Sequence, residues 1–203
     1  MTIDPAGRDP FDIYRLLSGS VLPRPIAFVS TISTDGILNL SPFSFFTVAS
    51  ANPPIIAFCP MVRGGERPKK DTLVNIEATG EFVVNIVSED FAAEMNSTAG
   101  EYPPDVDEFQ LSGLTPVASD IVKPPRVKES RVNMECKLHQ LVPVSSQFLG
   151  GTVVLGEVVR FHVADSMVNN ICEIDADQLN AIGRMAGPVY VRTKDRFEMV
   201  RPA

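Results

Sequence analysis

The chain has 203 residues, 44% apolar and 21% charged, which is enough apolar mass for a sizeable core and argues against disorder. Eighteen Lys and Arg against 25 Asp and Glu give a net charge of −7, unsuited to general nucleic-acid binding, which uses basic residues to displace phosphate counterions. Thirteen Gly and 17 Pro exclude a bundle of long helices, because proline removes a backbone donor and clashes inside a helix.

One domain over residues 1–203 is the expected organisation. Three cysteines, Cys59, Cys136 and Cys172, form no C-x-x-C pair, so neither a disulfide framework nor a zinc knuckle is indicated. Two histidines, His139 and His162, leave little for a histidine-rich metal site. The start MTIDPAGRDPFDIY lacks the pattern of a secretory signal, and no apolar run suits a membrane helix. A soluble cytoplasmic protein with reduced thiols and no membrane or nucleic-acid partner is expected.

In chain order, Asp9 to Gly19 predicts a helix, with Asp9 as cap, Pro10 in the first turn and Gly19 as stop. Ile26 to Ser33 reads as a strand, Thr34-Asp35-Gly36 as a tight turn, and Ile37 to Leu40 as the returning strand. Pro42 places Ser41-Pro42 at a bulge or on a sheet edge. Phe43 to Ser50 continues extended, and Ile55 to Cys59 is a short apolar strand after the Asn52-Pro53-Pro54 break. Asp71 to Gly80 predicts a short helix with Asp71 as cap, a Leu73/Ile76 face and Gly80 as stop. Glu81 to Val87 reads as a strand and Glu89 to Ala99 as a helix. Residues 101–130, rich in Pro and Asp, are expected to form a surface excursion.

Val132 to Leu141 and Gly151 to Ala164 supply further strands. Alternation there puts Val159, Phe161 and Val163 inward, against Arg160 and His162. Asp177 to Ala186 predicts a last helix and Val189 to Arg192 a last strand. Six or seven short strands with few helices suggest a mainly β (α+β) barrel rather than a doubly wound parallel sheet. No G-x-G-x-x-G follows a strand, so no Rossmann nucleotide site is expected.

Two regions carry chemistry. Arg63, Arg67, Lys69 and Lys70 precede a predicted helix start at Asp71-Thr72, where free N–H groups, positive charge and the Thr72 hydroxyl favour a phosphate. A solvated loop with Asp71 as cap is the alternative. In the second region, Ser30 to Thr47, hydroxyls and an amide interleave with apolar and aromatic residues, which suits a planar heteroaromatic ring. An ordinary hairpin with a polar outer face explains the same alternation. Cys136 reads as a buried small hydrophobe, and His139 and His162 as surface or satisfied core residues. Asp105, Asp107 and Glu108 read as a solvated acidic loop, and Arg184 as a cap or surface ion pair. Neither G-x-S-x-G nor H-E-x-x-H is present.

The ordered set Arg24-Pro25-Ile26-Ala27-Phe28-Val29-Ser30-Thr31, Asp35-Gly36, Asn39 to Phe46, Asn52-Pro53-Pro54, Lys70-Asp71-Thr72 with Asn75-Ile76, Gly80 to Asn85, and Gly183-Arg184 with Tyr190 resembles the flavin reductase-like family with the FMN-binding split barrel. The resemblance covers about residues 20–195. It implies a six-stranded antiparallel split β-barrel with short flanking helices, forming a homodimer with FMN near the subunit interface. By position, Ser30, Thr31 and Asn39 to Ser44 line the flavin, with Ser41, Pro42, Ser44 and Phe45 among the expected contacts. Lys70, Asp71 and Thr72 match the phosphate and ribityl region, while Arg184 and Tyr190 match a C-terminal motif that closes the site. Met185-Ala186-Gly187-Pro188 departs from the Gly-Gly often found before the final Tyr.

The implied activity is a flavin-dependent oxidoreductase. NADH or NADPH reduces bound FMN (FAD being the alternative), which passes reducing equivalents to flavin, ferric iron or a small organic acceptor. A partner monooxygenase is one consumer of reduced flavin. No protein acid, base or metal is expected in the chemistry. Other readings are an FMN-binding electron carrier, a member recruited to a different reaction on a small aromatic or nitro compound, and a flavinless barrel.

Overall fold

The computed structural model describes residues 1–202. In chain order its elements are α1 (Pro10–Ser20), β1 (Ala27–Ile32), β2 (Leu38–Phe43), β3 (Phe46–Ala51), β4 (Pro54–Phe58), α2 (Asp71–Thr79) and β5 (Glu81–Ile86). Then come α3 (Ala92–Ser97), α4 (Glu108–Ser112), β6 (Pro116–Val117), β7 (Arg126–Val127), β8 (Val132–Pro143), β9 (Thr152–Val163), α5 (Ala176–Leu179), β10 (Ile182–Arg184) and β11 (Tyr190–Arg192). No helix among the described residues is long and apolar enough to cross a membrane.

Seven strands form one antiparallel sheet in the order β2-β1-β5-β8-β9-β4-β3. This corrects the expected count of six, and the barrel is open, with β2 and β3 as its two edges. Pro42 sits on edge strand β2 opposite Phe28, where a missing N–H costs no ladder bond. Gly36 turns the β1–β2 hairpin at φ +86°, a conformation that glycine adopts without a Cβ clash.

The barrel interior is apolar. Phe43, Phe58 and Phe82 pack ring against ring at 5.1 and 5.5 Å, and α2 plugs the barrel with buried Leu73 and Ile76. Gly156 on β9 makes room for Phe82, whose ring carbon lies 2.2 Å from where a Cβ would stand.

A second apolar cluster lies under the segment expected at the surface. Residues 101–130 carry α4 and the β6–β7 hairpin, and they bury Phe109, Leu114, Val122 and Val127. Polar residues of the sheet fasten this segment. Ser30 Oγ donates to the Pro125 carbonyl at 2.5 Å, and Val127 N–H donates to Asn85 Oδ1 at 2.9 Å.

Two further expectations change. The alternation in β9 is interrupted at Val159, left over because Glu135 pairs with Arg160 while Cys136 pairs with Val158. Beyond it Phe161 stands opposite core Met134 and His162 opposite Asn133, yet Phe161 is 55% exposed and His162 reaches the buried Glu135 carboxylate. The helix expected over 177–186 ends at Leu179, with Asn180 left-handed at φ +49°. Residues Ile182–Arg184 are drawn into pairing with Tyr190–Arg192 instead.

Candidate functional site

Ser44 and Phe45 alone separate the two edge strands, so they span the opening of the barrel. They line a cavity of about 220 Å³ together with Tyr14, Ile26, Pro42, Phe43, Cys59, Met61, Lys70, Met95, Ala99, Arg184 and Tyr190. An adjoining, mostly apolar cavity of about 550 Å³ shares Ser44, Phe45 and Cys59 and adds Leu17, Val21, Phe46 and Phe58.

Arg24 is the hub of this wall. Its backbone forms a two-way bridge with Arg184, at 3.0 and 2.8 Å. The side chain is buried, and its guanidinium donates to Ser44 Oγ at 3.3 Å, to the carbonyls of Val21 and Met185 at 3.1 and 3.0 Å, and to Ser18 O. Burial lowers its pKa, with Arg184 acting in the same direction. One planar fork with five donors thus joins the end of α1, the β2–β3 turn and the start of the C-terminal hairpin. Pro23-Arg24-Pro25, a lone cation before an apolar strand, was the sequence signal for it.

The floor is the start of α2. Lys70, not Asp71, is the N-cap, and it makes no side-chain cap bond. Leu73 and Val74 N–H return to the Lys70 carbonyl at 2.9 and 3.1 Å, while the N–H groups of Asp71 and Thr72 have no acceptor among the described residues. Three of the four loop cations are already committed. Arg63 and Arg67 pair with Asp71, and Lys69 pairs with Glu77 at 2.7 Å. Lys70 makes no ion pair among the described residues and reaches the cavity; burial lowers its pKa, with Arg63 adding to the effect. Arg63 Nε is buried without a hydrogen-bond partner, an unspent donor beside the α2 start.

The hairpin of β10 and β11 closes the far side. Arg184 lies 4.5 Å over the Tyr190 ring and donates to its hydroxyl, which in turn donates to Asn96 Oδ1 at 3.2 Å. A cation on an aromatic face is held by the ring quadrupole.

Pro42, Ser44, Phe45, Lys70, Arg184 and Tyr190 therefore meet at one cavity, whereas the other expected residues lie outside its lining. Ser30 holds the 101–130 segment, Ser41 stands in the β2 ladder opposite Val29, and Asp71 serves its arginines. Thr31, Asn39 and Thr72 form a buried network. Asn39 Oδ1 accepts from Thr72 Oγ1 at 2.7 Å and from Thr31 Oγ1 at 3.3 Å, while Thr31 Oγ1 accepts from Asn75 at 3.0 Å. The Thr72 hydroxyl, expected to meet a phosphate, is spent inside the protein; its N–H is not. Glu108 joins the network through Asn39 and is buried, which corrects its reading as a solvated loop residue.

A second buried carboxylate has no part in the cavity. Glu135 accepts the N–H groups of Asp120, Ile121 and Val122 at 2.8, 2.7 and 3.0 Å, and lies 2.6 Å from His162 Nε2. Burial pushes its carboxyl up, but these bonds outweigh burial and hold it at about 2. Asp120, Glu135 and His162 cluster closely enough to suggest metal ligands, yet the Glu135 oxygens are filled by backbone donors. Neighbouring Cys136 is fully buried, and burial raises its thiol well above the ordinary range, as a core residue.

Apolar and aromatic walls, two cations, a helix start with free N–H groups and no carboxylate in the cavity lining fit a flat ring carrying an anionic group. The donor set, with an unspent Arg63 Nε beside it, fits a flavin nucleotide. The model of the flavin reductase like domain matches residues 18–183. Nitrilotriacetate monooxygenase component B from Bacillus cereus is 39% identical, with a TM-score of 0.92 over 98% of each chain. The 2-nitrobenzoate 2-nitroreductase of Pseudomonas fluorescens is 29% identical, with a TM-score of 0.89 over 100% of this chain and 96% of its own. A Shewanella frigidimarina protein with a split barrel domain, 24% identical over 100% of both chains with a TM-score of 0.85, shares the fold. With its open antiparallel barrel and this extended match, the chain belongs to the flavin reductase-like family of split-barrel proteins.

Proposed function

We propose that the chain, as one FMN-binding domain over residues 1–203, is an NAD(P)H-dependent reductase that works as a homodimer. The observation that carries this reading is the cavity in which Lys70 and Arg184 face apolar walls without a lining carboxylate. Lys70 and the N–H groups of Asp71 and Thr72 hold the phosphate. Pro42, Phe43 and Phe45 bury one ring face and exclude water, and the Ser44 hydroxyl, oriented by Arg24, meets a polar ring edge. Arg184, stacked on Tyr190, covers the opposite end. When bound, FMN supplies the hydride chemistry that protein side chains lack. The lining holds neither histidine nor carboxylate; its proton-bearing side chains are Tyr14, Cys59, Lys70, Arg184 and Tyr190 and the Ser44 hydroxyl.

At about 220 Å³ the cavity is smaller than the roughly 300–1,000 Å³ of pockets that enclose a drug-sized ligand. The larger apolar cavity beside it, rimmed by exposed Leu17 and Val21, supports closure by a second copy. Likeness to a monooxygenase component and to a nitroreductase supports two acceptors, an oxidised flavin that is handed on reduced to a partner monooxygenase, or a small nitro compound.

The test is the visible spectrum of the purified chain with FMN, followed by anaerobic NADH or NADPH. Bleaching much faster than with free FMN supports the reductase. Bound flavin that neither nucleotide bleaches moves the function to a carrier, and a chain that binds no flavin overturns the reading.

A further inference from the structure

Glu108, in the first turn of α4, is 6% exposed and stands outside the cavity lining. Its oxygens accept from Asn39 Nδ2 at 3.0 and 3.1 Å, and Oε2 also accepts the Leu40 N–H at 3.1 Å. Two residues beyond Leu40, the same edge strand places Pro42 in the cavity wall. On its other side, Asn39 Oδ1 takes the Thr72 hydroxyl at 2.7 Å. Thr72 is the second residue of α2 and one of the two whose N–H is free. A carboxylate only accepts, so it fixes the Asn39 amide with nitrogen toward Glu108 and oxygen toward Thr72. A group at 108 that also donates removes that constraint.

We infer that Glu108 is a positioning residue of the flavin site, setting the α2 start through Asn39 and Thr72 and the Pro42 strand through Leu40. This rests on the flavin reading above. It gives the 101–130 segment a part in the site without touching it. Asp71, held by Arg63 and Arg67, faces Glu108 from α2; Asp35 and Asp105 line the same polar cavity beside it, and Asp107 caps its own helix. Burial pushes the Glu108 carboxyl up against the opposing bonds from Leu40 and Asn39. Mild acid therefore protonates it before an exposed glutamate.

The test compares the dissociation constants of FMN and riboflavin for the full wild-type chain and Glu108→Gln from pH 5 to 8, with thermal melts of both. At pH 8 the variant binds FMN about tenfold more weakly, the scale of one charge-assisted hydrogen bond, and riboflavin less so. The variant-to-wild-type ratio then shrinks as the pH falls and Glu108 takes up its proton, because the protonated carboxyl can donate as the amide does. Groups common to both proteins, the FMN phosphate included, cancel in that ratio. A ratio of one at pH 8, or a ratio constant with pH in a folded variant, overturns the inference. Should Glu108→Gln not fold, wild-type riboflavin affinity decides, because riboflavin has no phosphate to titrate. Weakening as the pH falls supports the role, and a profile that stays flat down to the onset of acid unfolding overturns it. A wild type that binds neither flavin overturns this inference and the flavin reading together. Flavin binding indifferent to Glu108→Gln overturns the inference alone.

Discussion

Arg24 Nε reaches Ser44 Oγ at 3.3 Å, a contact between a residue three before β1 and the turn that bridges the barrel's open edges. The same guanidinium holds carbonyls at Val21 and at Met185, the latter 161 residues away. Arg24→Met leaves these acceptors buried and unpaired, at about 1–3 kcal/mol for each that water does not reach. We expect a fall in thermal midpoint and weaker FMN binding. Arg24→Lys, which keeps the charge but not the fork, should recover only part of both. Wild-type flavin affinity in a folded Arg24→Met variant would show that the hub does not shape the cavity.

Lys70→Ala removes the unpaired cation at the start of α2. FMN binding should weaken by about 1.5–3 kcal/mol, roughly 10- to 150-fold, while riboflavin affinity stays near wild type. Equal losses for both flavins would place the phosphate elsewhere. Thr72→Val keeps the N–H and the bulk but breaks the bond to Asn39, so it is expected to lower stability as well as affinity.

Glu135 sets an acid limb of stability. Its carboxyl sits at about 2 in the folded chain against an ordinary 4.5, so the unfolded chain binds the proton more readily. The stabilisation it gives is full above about pH 4.5 and is lost as pH falls toward 2. Glu135→Gln should cost about 2–4 kcal/mol at pH 7, because an amide oxygen cannot replace both carboxylate oxygens for three N–H groups and His162. It should also flatten the urea-midpoint profile between pH 5 and 2.5. An unchanged acid slope in the variant would assign that limb to other carboxylates.

Gly156→Ala tests the packing of the barrel. Its Cβ would stand 2.2 Å from Phe82 Cζ, and Phe82 is locked against Phe58. Overpacking of this kind typically costs about 1–3 kcal/mol, and the double variant with Phe82→Leu should recover part of the lost urea midpoint. A full-strength single variant would mean that the Phe82 ring moves freely.

The turn at Gly36, the α2 stop at Gly80 and the edge position of Pro42 were legible in the sequence because each depends on a few neighbouring residues. At the site, Lys70 was marked by the basic run before α2 and Ser44 and Phe45 by the hydroxyl- and aromatic-rich stretch around them, whereas Arg184 and Tyr190 came from the ordered resemblance alone. Thr72 shows the limit of that route. Its place at the helix start was readable, but the direction of its hydroxyl is set by Asn39, 33 residues earlier.

The sequence by itself determined the class of fold and most of the short elements, since hydrophobic period, caps and turn residues act over a few positions, while the family entered as a resemblance of ordered motifs. Tertiary structure decided which polar residues were spent. Ser30, Asn39, Glu108 and Glu135 look like surface or ligand groups in one dimension. Burial makes an unpaired polar atom costly, so each is drawn to a partner 13 to 95 residues away. Lys70, the N–H groups at the start of α2 and the Ser44–Phe45 bridge, by contrast, stay open to a ligand among the described residues. In β9 the pairing likewise overrode the local pattern: a bulge at Val159 interrupts the alternation, Phe161 is left 55% exposed, and His162 finds the buried Glu135 carboxylate.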